Sequence, residues 1–167
     1  MYKIIGAEGK ISDIKKFLEK INIFCKNKNL VIQVFNAELI FGNIHIVSAY
    51  EHAIRAFKQK TNSTNTLAME ILLYASGERQ LKLAIPKIGI KKGQVEIAFI
   101  IIGEKITDKL IDELIIELSL KRNDKILDSD ISKLKKFGLK ESEIKTISNE
   151  KYNSLILEKI ALVDIIK

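Results

Sequence analysis

Apolar residues three and four positions apart, broken by short β-branched runs, divide this chain into helices and strands. The stretch from Ile44 to Ile90 organises the rest. It reads as three successive helices over 44–60, 66–75 and 78–89, the last two joined by the polar turn Ser76-Gly77-Glu78. In the first, Val47, Tyr50, Ile54 and Phe57 line one face, and Ala49, Ala53 and Ala56 form a stripe of small side chains beside it where another helix can come close. The second is apolar almost all round from Leu67 to Ala75, with Thr66 placed as its N-cap and Gly77 as its stop, which predicts the buried centre of the fold. The third sets Leu81, Ala84, Ile85 and Ile88 against Arg79, Lys82 and Lys87, and Pro86 inside it is expected to kink it or shorten it by a turn.

On either side of this stretch the pattern alternates between the two periods. Tyr2 to Ile5 reads as an edge strand followed by a turn over Gly6 to Gly9, then a helix over about 12–26 with Ile14, Phe17, Leu18, Ile21 and Phe24 in register. Leu30 to Phe35 is β-branched and reads as a strand, and 36–43 is an irregular link. After the Lys91-Lys92-Gly93 turn, Gln94 to Ile102 starts as an alternating strand and ends wholly apolar, which suits a central strand covered on both faces at one end. Thr107 caps a helix reaching about Leu120, 121–130 is a polar link with a candidate short strand at Ile126 and Leu127, and Ser132 to Phe137 is a short helix closed by Gly138.

The last helix, about 150–166, is apolar over more than half of its circumference, leaving Ser154, Glu158, Lys159 and Asp164 for water. A helix packed on one body needs one apolar stripe, so the excess implies either a second partner or a position sandwiched within the fold. The elements together predict an α+β (mixed) fold: a small sheet of about four strands packed with helices, one domain over 1–167, with a long carboxy-terminal helix.

Composition narrows the class. At 167 residues and 47% hydrophobic content, the chain is long enough to bury a core without disulfides or metals. Its one cysteine, Cys25, rules out an intramolecular disulfide and fits a reducing, cytoplasmic setting. The first residues lack the apolar core of a signal peptide, and no apolar run nears the ~18 residues of a membrane helix, so no membrane partner is expected. The formal net charge of +7 favours polyanions, although a lysine-biased composition alone produces the same excess.

No residue set suggests a reaction. His45 and His52 lie seven residues apart on one helix, ~10 Å, too far to share a metal from rigid positions, and both are read as structural. No phosphate-cradling or serine-hydrolase signature is present. Asp108, Asp112, Glu113 and Glu117 form the solvated face of an amphipathic helix, and Cys25 lacks the electropositive setting of a nucleophile. Neither catalytic residues, nor a metal, nor a cofactor is expected. The basic residues Arg55, Lys58, Lys60, Arg79, Lys82, Lys91 and Lys92 form either one phosphate-binding patch or a scattered solvated surface.

The order His45, Ala49, Ala53, then Thr66-Leu67, Glu70-Ile71-Leu72-Leu73-Tyr74, Ser76-Gly77, Arg79-Gln80, Ala84-Ile85 and Gly89-Ile90 resembles the TPRKB-like family of kinase-binding regulatory subunits of the KEOPS complex. The likeness spans nearly the whole chain in the order of its elements and is most specific from Thr66 to Ile90. Pro86 and Ile88 depart from the family's pattern, where an uninterrupted helix and an aromatic residue are expected. The resemblance implies a non-catalytic subunit of the assembly that installs threonylcarbamoyladenosine in tRNA. Its partners would be the small atypical kinase or ATPase of that complex and the 3′ CCA end of tRNA. Carried onto this sequence, it implies kinase contacts at Leu155, Ile156, Ile160, Leu162 and Val163. RNA contacts are implied at Arg55, Lys58, Lys60, Arg79, Gln80, Lys82, Lys91 and Lys92. A general nucleic-acid-binding module and a protein that self-associates through its last helix are the alternatives.

Overall fold

The computed structural model describes residues 1–166. Four strands, β1 (Tyr2–Glu8), β2 (Val31–Asn36), β3 (Glu96–Ile102) and β4 (Lys121–Arg122), form an antiparallel sheet in the order β2-β3-β1-β4. The sheet is covered on both faces. Helices α1 (Ile14–Lys28) and α5 (Asp108–Glu117) lie on one, with Phe17, Ile21, Ile111 and Leu114 packed on Ile97, Phe99 and Ile101 of β3. On the other lie α2 (Gly42–Gln59), α3 (Leu67–Ser76), α4 (Leu81–Ile88), α6 (Ile131–Phe137), α7 (Glu141–Lys145) and α8 (Tyr152–Ile166). Their side chains meet Ala98 and Ile100. Successive β3 residues thus serve two different cores, which is why its sequence is apolar without interruption.

The centre of the helical layer is α3, as its sequence predicts: every residue from Glu70 to Ser76 is buried. Thr66 caps it, accepting from the Met69 N–H, and Gly77 ends it in the left-handed conformation at φ 68°. The face of α2 that meets it is the alanine stripe. Ala49, Ala53 and Ala56 are buried, whereas Val47, Tyr50, Ile54 and Phe57 are only half-buried. Small side chains there let the two backbones approach, so the larger residues are displaced to the flanks.

Three local expectations change. β1 continues through Gly6 to Glu8 rather than turning after Ile5. It does so because Gly6 lies under the following segment: a Cβ there would sit 2.5 Å from the Asn123 carbonyl oxygen and 2.6 Å from Ile126 Cγ1. Ile126 and Leu127 are not a strand. They fall in a 3-10 turn, Asp124–Leu127, because the Asn123 side chain caps its start and Asp124 Oδ1 accepts the Gly6 N–H. The strand of this link is Lys121–Arg122, paired with Glu8 and Ala7. Finally, α4 begins at Leu81, about one turn later than its pattern predicts, and runs through Pro86 to Ile88. A helix this short places Pro86 only one turn and a half from its start, so few backbone bonds are lost.

Candidate functional site

The carboxy-terminal helix supplies one half of the candidate site. Ile156, Ile160 and Val163 are fully buried against the α2/α3 layer, with Tyr152 and Leu155 half-buried beside them. This corrects the placement of three residues expected at a partner surface. Spaced four and three apart, they are the inner stripe of α8 and belong to the chain's own core. The outward apolar surface lies on the last turns, where Leu162 is 38% exposed, Ile165 77% and Ile166 44%. Of the five residues proposed from sequence, Leu162 alone is on that surface, and Ile165 and Ile166 were passed over.

A polar clasp fixes this end of α8. Asp164 Oδ2 lies 2.6 Å from His52 Nδ1, and Asp164 Oδ1 accepts from the Tyr74 hydroxyl. A carboxylate only accepts, so Nδ1 of His52 carries the proton. The two rings stack at 5.3 Å, and burial together with the Asp164 hydrogen bond pushes the Tyr74 hydroxyl well above the usual phenol range. Midway along α8, Lys159 pairs with Glu143 of α7 at 3.2 Å and packs over Gly77.

The basic residues supply the other half, and all eight RNA-contact positions are exposed. They do not form one patch. α2 runs from Gly42, which shares a cavity with Ile4, past Tyr50, which contacts the Tyr2 ring at 4.9 Å. Arg55, Lys58 and Lys60 therefore lie beyond the Tyr2–Ile102 end of the sheet. Lys60 ends α2 in the left-handed conformation at φ 58°. Arg79 follows the end of α3 far from Lys60 and reaches the last turn of α8, with its Nη1 3.5 Å from the Ile166 carbonyl oxygen. Lys91 and Lys92 precede β3 at the opposite end, where Gly93 bonds to Ile11 and Glu38 and Glu96 share their cavity. A strand's length, roughly 20 Å, separates the two groups. Gln80 occupies the N-cap position of α4 and Lys82 its first turn.

Lys82 is one helical turn before Ile85, which lines an apolar groove of about 370 Å³ between α1, β2, α3 and α4. Leu18, Ile32, Met69, Leu72, Ile85 and Ile90 line it. The outer edge of β2 at its floor carries Gln33, whose Nε2 donates to the Val34 carbonyl at 2.8 Å, and the half-buried Cys25 thiol of α1 lies near the Ile32 backbone. Burial pushes that thiol's pKa up, away from nucleophilic character.

The buried polar residues are each fully engaged in holding the layer together. His45, with no exposed surface, accepts the Phe41 N–H at Nδ1 (3.1 Å) and donates from Nε2 to the Ala75 carbonyl (2.8 Å). Burial lowers its pKa to about 4, against the smaller opposing effect of the Ala75 bond, so it is neutral. The buried Glu70 carboxylate accepts from the Ser63 and Thr64 backbone and the Thr64 hydroxyl, tying the 61–66 loop to α3. Ser76 Oγ donates to the Leu73 carbonyl and accepts the Glu78 N–H. Among the carboxylates of α5, Asp108 pairs with Lys3 at 3.0 Å and Glu113 with Lys28 at 2.7 Å on the surface. Among the described residues, no group of three or more His, Cys, Asp or Glu side chains converges on a metal position, and no helix is long and apolar enough to cross a membrane.

What these features define is a scaffold: two covered sheet faces, an anchored helix with an uncovered apolar end, and cations beside it. The chain belongs to the CGI-121 family of kinase binding proteins, whose profile matches residues 10–164. It is similar to the regulatory protein Cgi121 of Methanocaldococcus jannaschii, with 32% identity over 154 residues that cover 89% of this chain and 93% of that protein.

Proposed function

We propose that this protein is a non-catalytic, cytoplasmic subunit of a KEOPS-type assembly that modifies tRNA, docking the small kinase or ATPase of that assembly on α8 and helping to hold tRNA through its 3′ CCA end. The observation that carries the kinase half is the last turn of α8. Its inner stripe, Ile156, Ile160 and Val163, is already buried in the fold, yet Leu162, Ile165 and Ile166 remain uncovered on the same helix. A large apolar cluster of this kind on a protein surface marks an interface. Membership of a kinase-binding family supplies the class of partner.

For RNA, the support is the exposed Arg55, Lys58 and Lys60 at one end of the sheet, with Arg79 reaching the end of α8, together with the net charge of +7. Such cations release counterions on meeting phosphates, so binding falls steeply with salt. A single-stranded end is held by contacts to base faces next to cations; the apolar groove lined by Ile85 of α4, with the exposed Lys82 one turn earlier on the same helix, is the candidate for it. Lys91 and Lys92 serve as a separate, more distant contact.

The test combines two variants. Leu162→Asp is expected to abolish kinase association while leaving RNA binding and thermal melting intact; loss of RNA binding and of the melting transition as well would mean misfolding. Arg79→Glu is expected to weaken tRNA binding about tenfold at low salt, with the loss confined to tRNA carrying an intact 3′ end. Equal, salt-labile binding of intact and trimmed tRNA would make this a general nucleic-acid-binding module instead. A dimer that dissociates in Leu162→Asp would assign α8 to self-association.

A further inference from the structure

Asp164 stands where the two proposed surfaces meet. It projects from the last turn of α8 and reaches two other helices at once, through His52 of α2 and Tyr74 of α3. The residues around it on the same turn are Leu162, Ile165 and Ile166 facing outward and Val163 facing the core. Arg55 borders the same cavity of about 450 Å³, which Asp164 shares with Ala56, Gln59, Thr61 and Ser63. Arg79 reaches the Ile166 carbonyl from the other side. One carboxylate thus touches the mooring of the apolar patch and neighbours a cation proposed to meet phosphate.

We infer that Asp164 is a positioning residue that acts in opposite directions on the two partners: it holds the end of α8 in place for the protein partner, and its carboxylate beside Arg55 restrains anion binding there. This rests on the reading of α8 and Arg55 given above. The first effect follows from the position of the clasp. The last carbonyls of a helix have no partners within the helix, so the end turn frays unless side chains fasten it. A partner that requires the ordered turn binds in proportion to the fraction of molecules that have it. The second effect is electrostatic. A phosphate approaching Arg55 meets the negative charge of Asp164 across their shared cavity, and Asp164→Asn removes that repulsion while keeping an acceptor oxygen.

Two variants separate these effects from a loss of structure. Asp164→Asn is expected to weaken binding of the cognate kinase about tenfold while strengthening binding of tRNA about two- to threefold at low salt. Tyr74→Phe removes one bond of the clasp without altering charge, so kinase binding falls and tRNA binding stays as in the wild type. A merely structural role lowers both affinities together in Asp164→Asn, and that result overturns the inference. Kinase binding equal to wild type in Asp164→Asn overturns it as well. A wild-type protein that binds no kinase overturns the underlying reading, and this inference with it.

Discussion

α3 and α8 are apolar around most of their circumference, yet only one is swallowed by the fold. From Glu70 to Ser76 each residue of α3 is buried, enclosed by α2, α4, α8 and the sheet. α8 buries one stripe and leaves Leu162, Ile165 and Ile166 to solvent. The difference lies in the neighbours. The alanine stripe of α2 lets α3 sink toward the sheet, and each buried polar group on α3 meets a partner: Glu70 holds the preceding loop, Tyr74 meets Asp164 of α8, and Ser76 bonds to Leu73 and Glu78. α8 packs on the α2/α3 layer through one stripe, Ile156, Ile160 and Val163, so it is covered from one side. Equal hydrophobicity therefore has two outcomes here, a core in α3 and an uncovered apolar surface at the end of α8.

Substitutions should separate the two helices clearly. Leu73→Ala in α3 removes a fully buried side chain and should cost about 2–5 kcal/mol of stability, measured by chemical denaturation. A loss under ~1 kcal/mol would mean that α3 is not the packed centre. Next in size is the pH response of His45, which lies between the two helices' supports. Its folded pKa, about 4, is below the ordinary value near 6.5, so between these values the unfolded chain binds the extra proton. Stability is full above about pH 6.5 and falls as the pH drops toward 4, by roughly 3 kcal/mol from this group. His45→Gln should lower stability overall and flatten that slope; an unchanged slope would place the titration elsewhere. Smallest in stability is Ile165→Asp, expected to change the unfolding free energy by less than ~0.5 kcal/mol because the side chain is already 77% exposed. Its effect should appear in partner binding alone.

The same contrast explains how much was legible in the sequence. The burial of α3, the two-faced β3 and the caps at Thr66 and Gly77 are written in local pattern, and local pattern predicted them. Periodicity also found α8, but a helix with two apolar stripes gives no sign of which one faces inward, so Ile156, Ile160 and Val163 were placed at the surface. The close approach at Ala49, Ala53 and Ala56 was legible in their small size, whereas Val47, Tyr50, Ile54 and Phe57, spaced as a buried face, are only half-buried on its flanks. The 3-10 turn at Asp124–Leu127 depends on Gly6, over a hundred residues away, and the Asp164 clasp joins positions 90 and 112 residues apart. No local signal carries such contacts. The basic residues were rightly read as exposed, but their division between the two ends of the sheet follows from how α2 crosses it, which is a tertiary fact.

The central claim is that the uncovered end of α8 is the kinase-docking surface. Calorimetric titration with the cognate small kinase, comparing wild type with Ile165→Asp and Ile116→Asp, tests it most directly. Ile116, 76% exposed on α5 across the sheet, is a matched apolar control on the opposite layer. The account predicts that Ile165→Asp loses measurable binding and that Ile116→Asp binds as the wild type does. Retained binding in Ile165→Asp, or loss in Ile116→Asp alone, would contradict it and move the interface to the α1/α5 face.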